Sequence, residues 1–219
     1  MAKKIVVDII KMEKRLSHYS CEVLEWLSQE HYIIQKKVYG RFTEDSINLV
    51  EFAKDKLNTN ATLLDIGTGT GIIPLSLLVK GVRYKSMVAV EKNSIMAEMT
   101  KRTVDMQALS MITVIHKDFL EVSSHSKFDA LFCNPPYFPI RSGRLPENSV
   151  KRDARFEGTL TLETLLCKSR ELLRPQGKLF ICLPHQREEE LKRYGKTLNF
   201  NITHYELKNR VILCEIIYF

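Results

Sequence analysis

From residue 61 onward, apolar and amphipathic segments alternate along the chain. Short apolar runs at Ala61–Ile66, Ser86–Val90, Met111–His116, Phe128–Cys133 and Lys178–Leu183 have the length and flanking turn signals of buried strands. Between them, Ile72–Lys80, Ser94–Ala108, Leu160–Leu173 and Gln186–Gly195 read as helices. Strand and helix in alternation predict an α/β fold, with a parallel sheet covered on both faces. The end of the chain departs from this rhythm. Asn201–Glu206 and Val211–Tyr218 are both strand-like, and only Leu-Lys-Asn-Arg separates them. So short a link permits a hairpin and forbids a crossover, so an antiparallel strand is expected at the end. Residues 4–57 read mainly as helix: Ile9, Met12 and Leu16 form one apolar stripe, and Val23, Leu24, Trp26 and Leu27 another. Thr43 is placed to cap the helix that follows, with Glu44 and Asp45 in its acidic first turn. The expected organisation is a small helical extension over 1–58 packed on an α/β domain over 59–219.

Two strand ends carry chemistry. After Ile66 come Gly67-Thr68-Gly69-Thr70-Gly71 and a helix, preceded by an acid, Asp65. Strand, glycine-rich turn and helix form a nucleotide-binding unit, because glycines let the backbone approach a ligand that the helix amides face. The spacing G-x-G-x-G differs from the dinucleotide G-x-G-x-x-G. The next strand ends in Glu91, an acid suited to ribose hydroxyls.

The second strand end is Cys133-Asn134-Pro135-Pro136-Tyr137-Phe138. Two prolines remove two backbone donors and make the exit from the strand stiff. The Asn134 amide oxygen and the Pro135 carbonyl form an acceptor pair for an NH2 group, and Tyr137 suits the face of a flat ring. Phe138 extends that apolar wall. Asn-Pro alone is an ordinary turn signal; its place at the carboxyl end of a strand is what points to a ligand.

Net charge is +7, from 33 Lys and Arg against 26 Asp and Glu, which favours an anionic partner. The distribution adds to this: Arg141, Arg144, Lys151, Arg152 and Arg155 all follow Asn-Pro-Pro-Tyr on one long polar loop, the pattern a phosphate backbone requires. Five scattered cysteines fit neither a disulfide framework nor a zinc site, and six scattered histidines show no metal spacing. No apolar run reaches the ~18 residues of a membrane span. A reducing cytoplasm, no membrane and no metal are expected.

Asp65-x-Gly67-x-Gly69-x-Gly71, Glu91, Asp118-Phe119 and Asn134-Pro135-Pro136-Tyr137 together resemble the class I S-adenosylmethionine-dependent methyltransferases that act on an amino nitrogen. Gln35, the stretch from Tyr39 to Ser46 and the stretch from Arg152 to Glu157 narrow the likeness. They resemble the bacterial tRNA (adenine-N(6))-methyltransferases that modify adenosine 37 of tRNA(Val), just 3′ of the anticodon. The likeness covers roughly Ile34 to the C-terminus and departs at Phe156, where the family string Ala-Arg-His-Glu has histidine.

The resemblance implies a Rossmann-like, mostly parallel seven-stranded sheet with an antiparallel C-terminal strand. It implies S-adenosylmethionine as cofactor, held by Thr43, Asp65, Gly67, Gly69, Gly71, Glu91, Asp118 and Asn134. Asn134, Pro135 and Tyr137 would be catalytic. Tyr137, Phe138 and the five basic loop residues would hold the anticodon stem-loop of a tRNA. A monomer is favoured, and the sequence leaves the oligomeric state open. Two rivals remain open at this point: a protein glutamine methyltransferase, and a non-catalytic RNA-binding or assembly factor that retains the fold.

Overall fold

The computed structural model describes residues 21–36, 42–123, 125, 127–135, 138–139, 156–157, 160–208 and 210–219. A seven-stranded sheet forms its centre. In chain order the elements that build it are β3 (Thr62–Ile66), α2 (Ile72–Val79), β4 (Ser86–Glu91), α3 (Ser94–Met106), β5 (Ile112–His116), β6 (Phe128–Cys133), α4 (Leu162–Leu172), β9 (Leu173–Pro184), α5 (Glu188–Leu198), β10 (Phe200–Lys208) and β11 (Val211–Tyr218). Before them come β1 (Glu22–Trp26), β2 (Tyr32–Lys36) and α1 (Glu44–Ala53). Two short strands, β7 (Phe138–Pro139) and β8 (Phe156–Glu157), pair separately.

The order across the sheet is β10-β11-β9-β6-β3-β4-β5. Strands β9, β6, β3, β4 and β5 are parallel; β11 runs antiparallel to both β9 and β10. The fold is the expected α/β one, and the terminal hairpin lies where the short link placed it.

Each central strand sends alternate side chains to opposite faces, and both faces are dry. Leu64, Ile66, Leu131, Cys133, Leu179 and Ile181 meet Leu162, Leu165, Leu166 and Leu191 of α4 and α5. On the other face, Leu63, Ala130, Phe132 and Phe180 meet Leu49, Val50 and Ala53 of α1 and Ile72, Ile73 and Leu75 of α2. Continuous apolar strands are what a doubly covered parallel sheet demands.

Residues 22–36 correct the helical reading. They form an antiparallel hairpin, from Glu22↔Lys36 to Trp26↔Tyr32. The apolar spacing at 23, 24, 26 and 27 fitted a helix, but tertiary contacts override it. Tyr32, Ile33 and Ile34 are all buried. The Ser28 hydroxyl accepts from the amides of Glu30 and His31 and turns the chain. The hairpin lies along α3: Gln107 Nε2 donates to the Tyr32 carbonyl at 2.8 Å, and the Ile34 amide donates to Thr103 Oγ1 at 3.0 Å. Arg102 Nη2 bridges both Glu22 oxygens at 2.8 and 2.9 Å. The stripe of Ile9, Met12 and Leu16 lies outside the described residues.

Candidate active site

The carboxyl ends of β3, β4, β5 and β6 line one edge of the sheet, the edge at which open α/β folds bind ligands. The three glycines of the β3–α2 turn all take left-handed backbone, with φ of 68° at Gly67, 59° at Gly69 and 81° at Gly71. A side chain resists that conformation. Space divides their roles. A Cβ at Gly67 would meet nothing within 4 Å, so this part of the turn fronts open space. At Gly71 it would lie 2.9 Å from Thr100 Cγ2, so glycine there also lets α2 pack against α3.

Glu91 clasps the turn. Its Oε2 accepts from the Gly69 amide at 2.9 Å and its Oε1 from the Asn93 amide at 2.8 Å. Burial raises its pKa, and those backbone donors oppose the rise. Each carboxylate oxygen can accept a second bond, so the clasp leaves capacity for a hydroxyl. Thr100 Oγ1 donates to the Gly69 carbonyl at 2.6 Å and closes the turn from the other side.

Asp65 is fully buried beneath the turn, and neither of its oxygens has a hydrogen-bond partner among the described residues. Burial pushes its pKa up to about 7, with the Thr68 side chain opposing and the Glu91 charge adding to the rise. A buried acid without a partner is costly unless a cation or donor reaches it.

Asp118 closes the β5 end. Its Oδ1 caps the following turn by accepting from the Leu120 amide at 3.0 Å, and its Oδ2 meets Lys92 Nζ at 2.7 Å. Asn93 caps α3 through its Oδ1, which accepts from the amides of Ile95 and Met96.

Asn134 lies half-buried at the end of β6. Its Nδ2 donates to Ser46 Oγ at 2.8 Å and to Thr43 Oγ1 at 3.3 Å. Thr43 therefore differs from the expected cap. It occupies the N-cap position of α1, yet its side chain makes no cap bond; its hydroxyl accepts from Asn134 instead. Ser46 entered the sequence reading only as the last residue of the stretch from Tyr39, with no role of its own. Its one signal is a hydroxyl residue three positions after Thr43, which places both on one end of α1.

Of the residues expected at the site, Thr43, Asp65, Gly67, Gly69, Gly71, Glu91, Asp118, Asn134 and Pro135 all stand at this edge. Phe138 is described through its backbone, which pairs in parallel with Phe156 as β7 with β8. Tyr137, Arg141, Arg144, Lys151, Arg152 and Arg155 lie outside the described residues.

Comparison with known sequences now bears on this edge. The sequence model of the "Methyltransferase small domain" matches residues 40–207. The chain belongs to the methyltransferase small domain family. A tRNA1(Val) (adenine(37)-N6)-methyltransferase of Shewanella frigidimarina is 30% identical over 173 residues, covering 72% of this chain and 68% of the relative. The protein of the same name from Porphyromonas gingivalis is 35% identical over 140 residues, covering 61% of this chain and 54% of the relative. The chain spans about half the length of several such curated relatives. Among solved structures, M. jannaschii TYW2 in complex with AdoMet superposes with a TM-score of 0.62 at 16% identity, covering 91% of this chain and 87% of that one. The chain therefore shares that fold. Among the described residues no group of His, Cys, Asp and Glu could hold a metal, and no helix is long and apolar enough to cross a membrane.

Proposed function

We propose that this chain transfers a methyl group from S-adenosylmethionine to the exocyclic amine of an adenosine in tRNA, the one just 3′ of the anticodon, in the cytoplasm. The observation that carries the reading is Asn134 at the end of β6, one strand from the glycine turn, with its amide nitrogen tied back to α1. The names of the curated relatives support the tRNA substrate.

The residues present fit the cofactor. The open front of Gly67 leaves room for a ligand against the backbone, and the unpartnered Asp65 carboxylate suits an amino-acid ammonium. Glu91 would take the ribose hydroxyls and Asp118 the adenine edge. When bound, the cofactor supplies a methyl group activated by a sulfonium.

The chain's own groups must then solve an electronic problem. The adenine amine is a poor nucleophile because its lone pair is delocalised into the ring. Asn134 Oδ1 and the Pro135 carbonyl accept its two N–H bonds and turn the lone pair out of the ring plane. As the nitrogen gains positive charge those bonds strengthen, so they favour the transition state over the ground state. Asn134 takes no proton; the amine loses its own after transfer, when it has become acidic. Tyr137 stacks on the base, which must leave its neighbours to enter, at lower cost from a loop than from a duplex. Arg141, Arg144, Lys151, Arg152 and Arg155 hold phosphates.

A methyl-transfer assay with labelled cofactor against tRNA, rRNA and protein fractions tests the reading. Label is expected in tRNA, as N6-methyladenosine beside the anticodon. Label in protein glutamine with tRNA untouched would overturn it. Replacing Arg152 and Arg155 together with Ala should weaken tRNA binding and flatten the slope of log affinity against log salt, by ~0.7 to 0.9 per lost phosphate contact.

A further inference from the structure

A hydrogen bond weakens steeply with distance and angle, so an amide that must meet an incoming N–H has to stand in one place. We propose that Ser46, seconded by Thr43, is a positioning residue that holds the Asn134 side chain in that place, an inference that rests on the methyl-transfer reading above.

Two hydrogen bonds of the amide nitrogen run to the N-terminal turn of α1: 2.8 Å to Ser46 Oγ and 3.3 Å to Thr43 Oγ1. The side chain is thus tied to the end of the helix, across the fold from its own strand. Ser46 is the stronger anchor, since its bond is shorter and it is only 5% exposed, whereas Thr43 faces solvent. Water competes less for a bond in a dry setting.

The anchor is itself rigid. The Ser46 amide donates to the Thr43 carbonyl at 3.2 Å, which fixes the first turn of α1. One turn further on, Leu49, Val50 and Ala53 are fully buried against the sheet. The backbone of Asn134 has little freedom either, since it leaves β6 straight into Pro135. Two rigid elements far apart in sequence therefore meet at one amide. Ser46 need not touch the substrate, and its effect passes through Asn134 alone.

Ser46→Ala tests this cleanly, because alanine is a better helix former and leaves no large cavity. Turnover on tRNA should fall about tenfold, as for loss of one bond that orients a reacting group. The KM for S-adenosylmethionine should stay within about twofold, and Tm should hold. In an Asn134→Ala background the same substitution should change turnover no further. The Asn134 side-chain amide signals in 15N-correlated NMR, assigned from their absence in Asn134→Ala, should shift in Ser46→Ala. Wild-type turnover with unmoved Asn134 signals would overturn the proposal, as would an equal loss in both backgrounds. If the wild type methylates no tRNA, the functional reading fails by itself, and the NMR signals still decide whether Ser46 sets the amide.

Discussion

The glycine turn and the Asn134 corner occupy neighbouring strand ends, yet they are held in different ways. The turn is secured by groups no more than 31 residues away in the chain. Gly71 N donates to the Thr68 carbonyl at 2.9 Å, Thr68 N to the Val90 carbonyl at 3.0 Å, and Gly69 N to Glu91, 22 residues away. Asn134 is held by side chains 88 and 91 residues earlier, on a helix that precedes the whole sheet. A turn shaped by the conformational needs of its own residues survives small shifts elsewhere. A corner joined across the fold is only as accurate as the packing of α1. The first arrangement suits a ligand gripped through backbone, the second a group whose orientation must be set to within a few tenths of an ångström.

The largest expected effect separates the two. Asn134→Ala should lower single-turnover rates about a hundredfold, ~3 kcal/mol, while cofactor affinity measured by calorimetry moves little. Equal losses in both would mean that corner and turn act as one unit.

Next comes the buried acid under the turn. The Asp65 pKa is pushed up to about 7 from 3.8. Between those values the folded protein holds a proton that the unfolded chain releases. Stability must therefore fall as pH rises through that window, and the penalty is complete above about 7. Asp65→Asn should remove this slope, so that its Tm gains on the wild type from pH 5 to pH 8, by the equivalent of ~2 kcal/mol. Parallel Tm curves would show the acid to be paired in solution, and the turn would lose its unpartnered carboxylate.

The smallest effect lies within the turn. Gly71→Ala combines a left-handed φ with the contact to Thr100 and should cost ~2 kcal/mol in denaturant melts. Gly67→Ala meets open space, so it should cost ~1 kcal/mol, the conformational part alone. Equal costs would place the tight helix contact elsewhere.

What could be read in advance follows the same division. Gly67-x-Gly69-x-Gly71 between an apolar run and a helix announces its own geometry, since each glycine answers a local backbone need. Asn-Pro-Pro-Tyr likewise marked its strand end. Ser46 did not stand out, because its partner is distant in sequence and a serine in the first helical turn has ordinary local explanations. The same limit produced the error at residues 22–36. Val23, Leu24, Trp26 and Leu27 satisfy a helical period, but Thr103 on α3 and Gln107 just past its end bond the backbone of Tyr32 and Ile34 in the partner strand. Asp118 lay between these cases. Its cap on the Leu120 amide followed from local sequence, whereas its bridge to Lys92 needed two strands to lie side by side.

The strand order also sets an order of events in time. β10 touches the sheet only through β11, which follows it in the chain. While the polypeptide emerges from the ribosome, residues 200–208 have no sheet neighbour until residues 211–218 have followed. Synthesis adds ~5–20 residues per second, whereas a hairpin closes in ~1–10 μs. The two strands therefore join each other as soon as both are free, and dock on β9 as a finished pair. Until then the outer edge of β9, with Leu179, Phe180, Ile181 and Cys182 along it, has no strand beside it and is open to pairing with another chain.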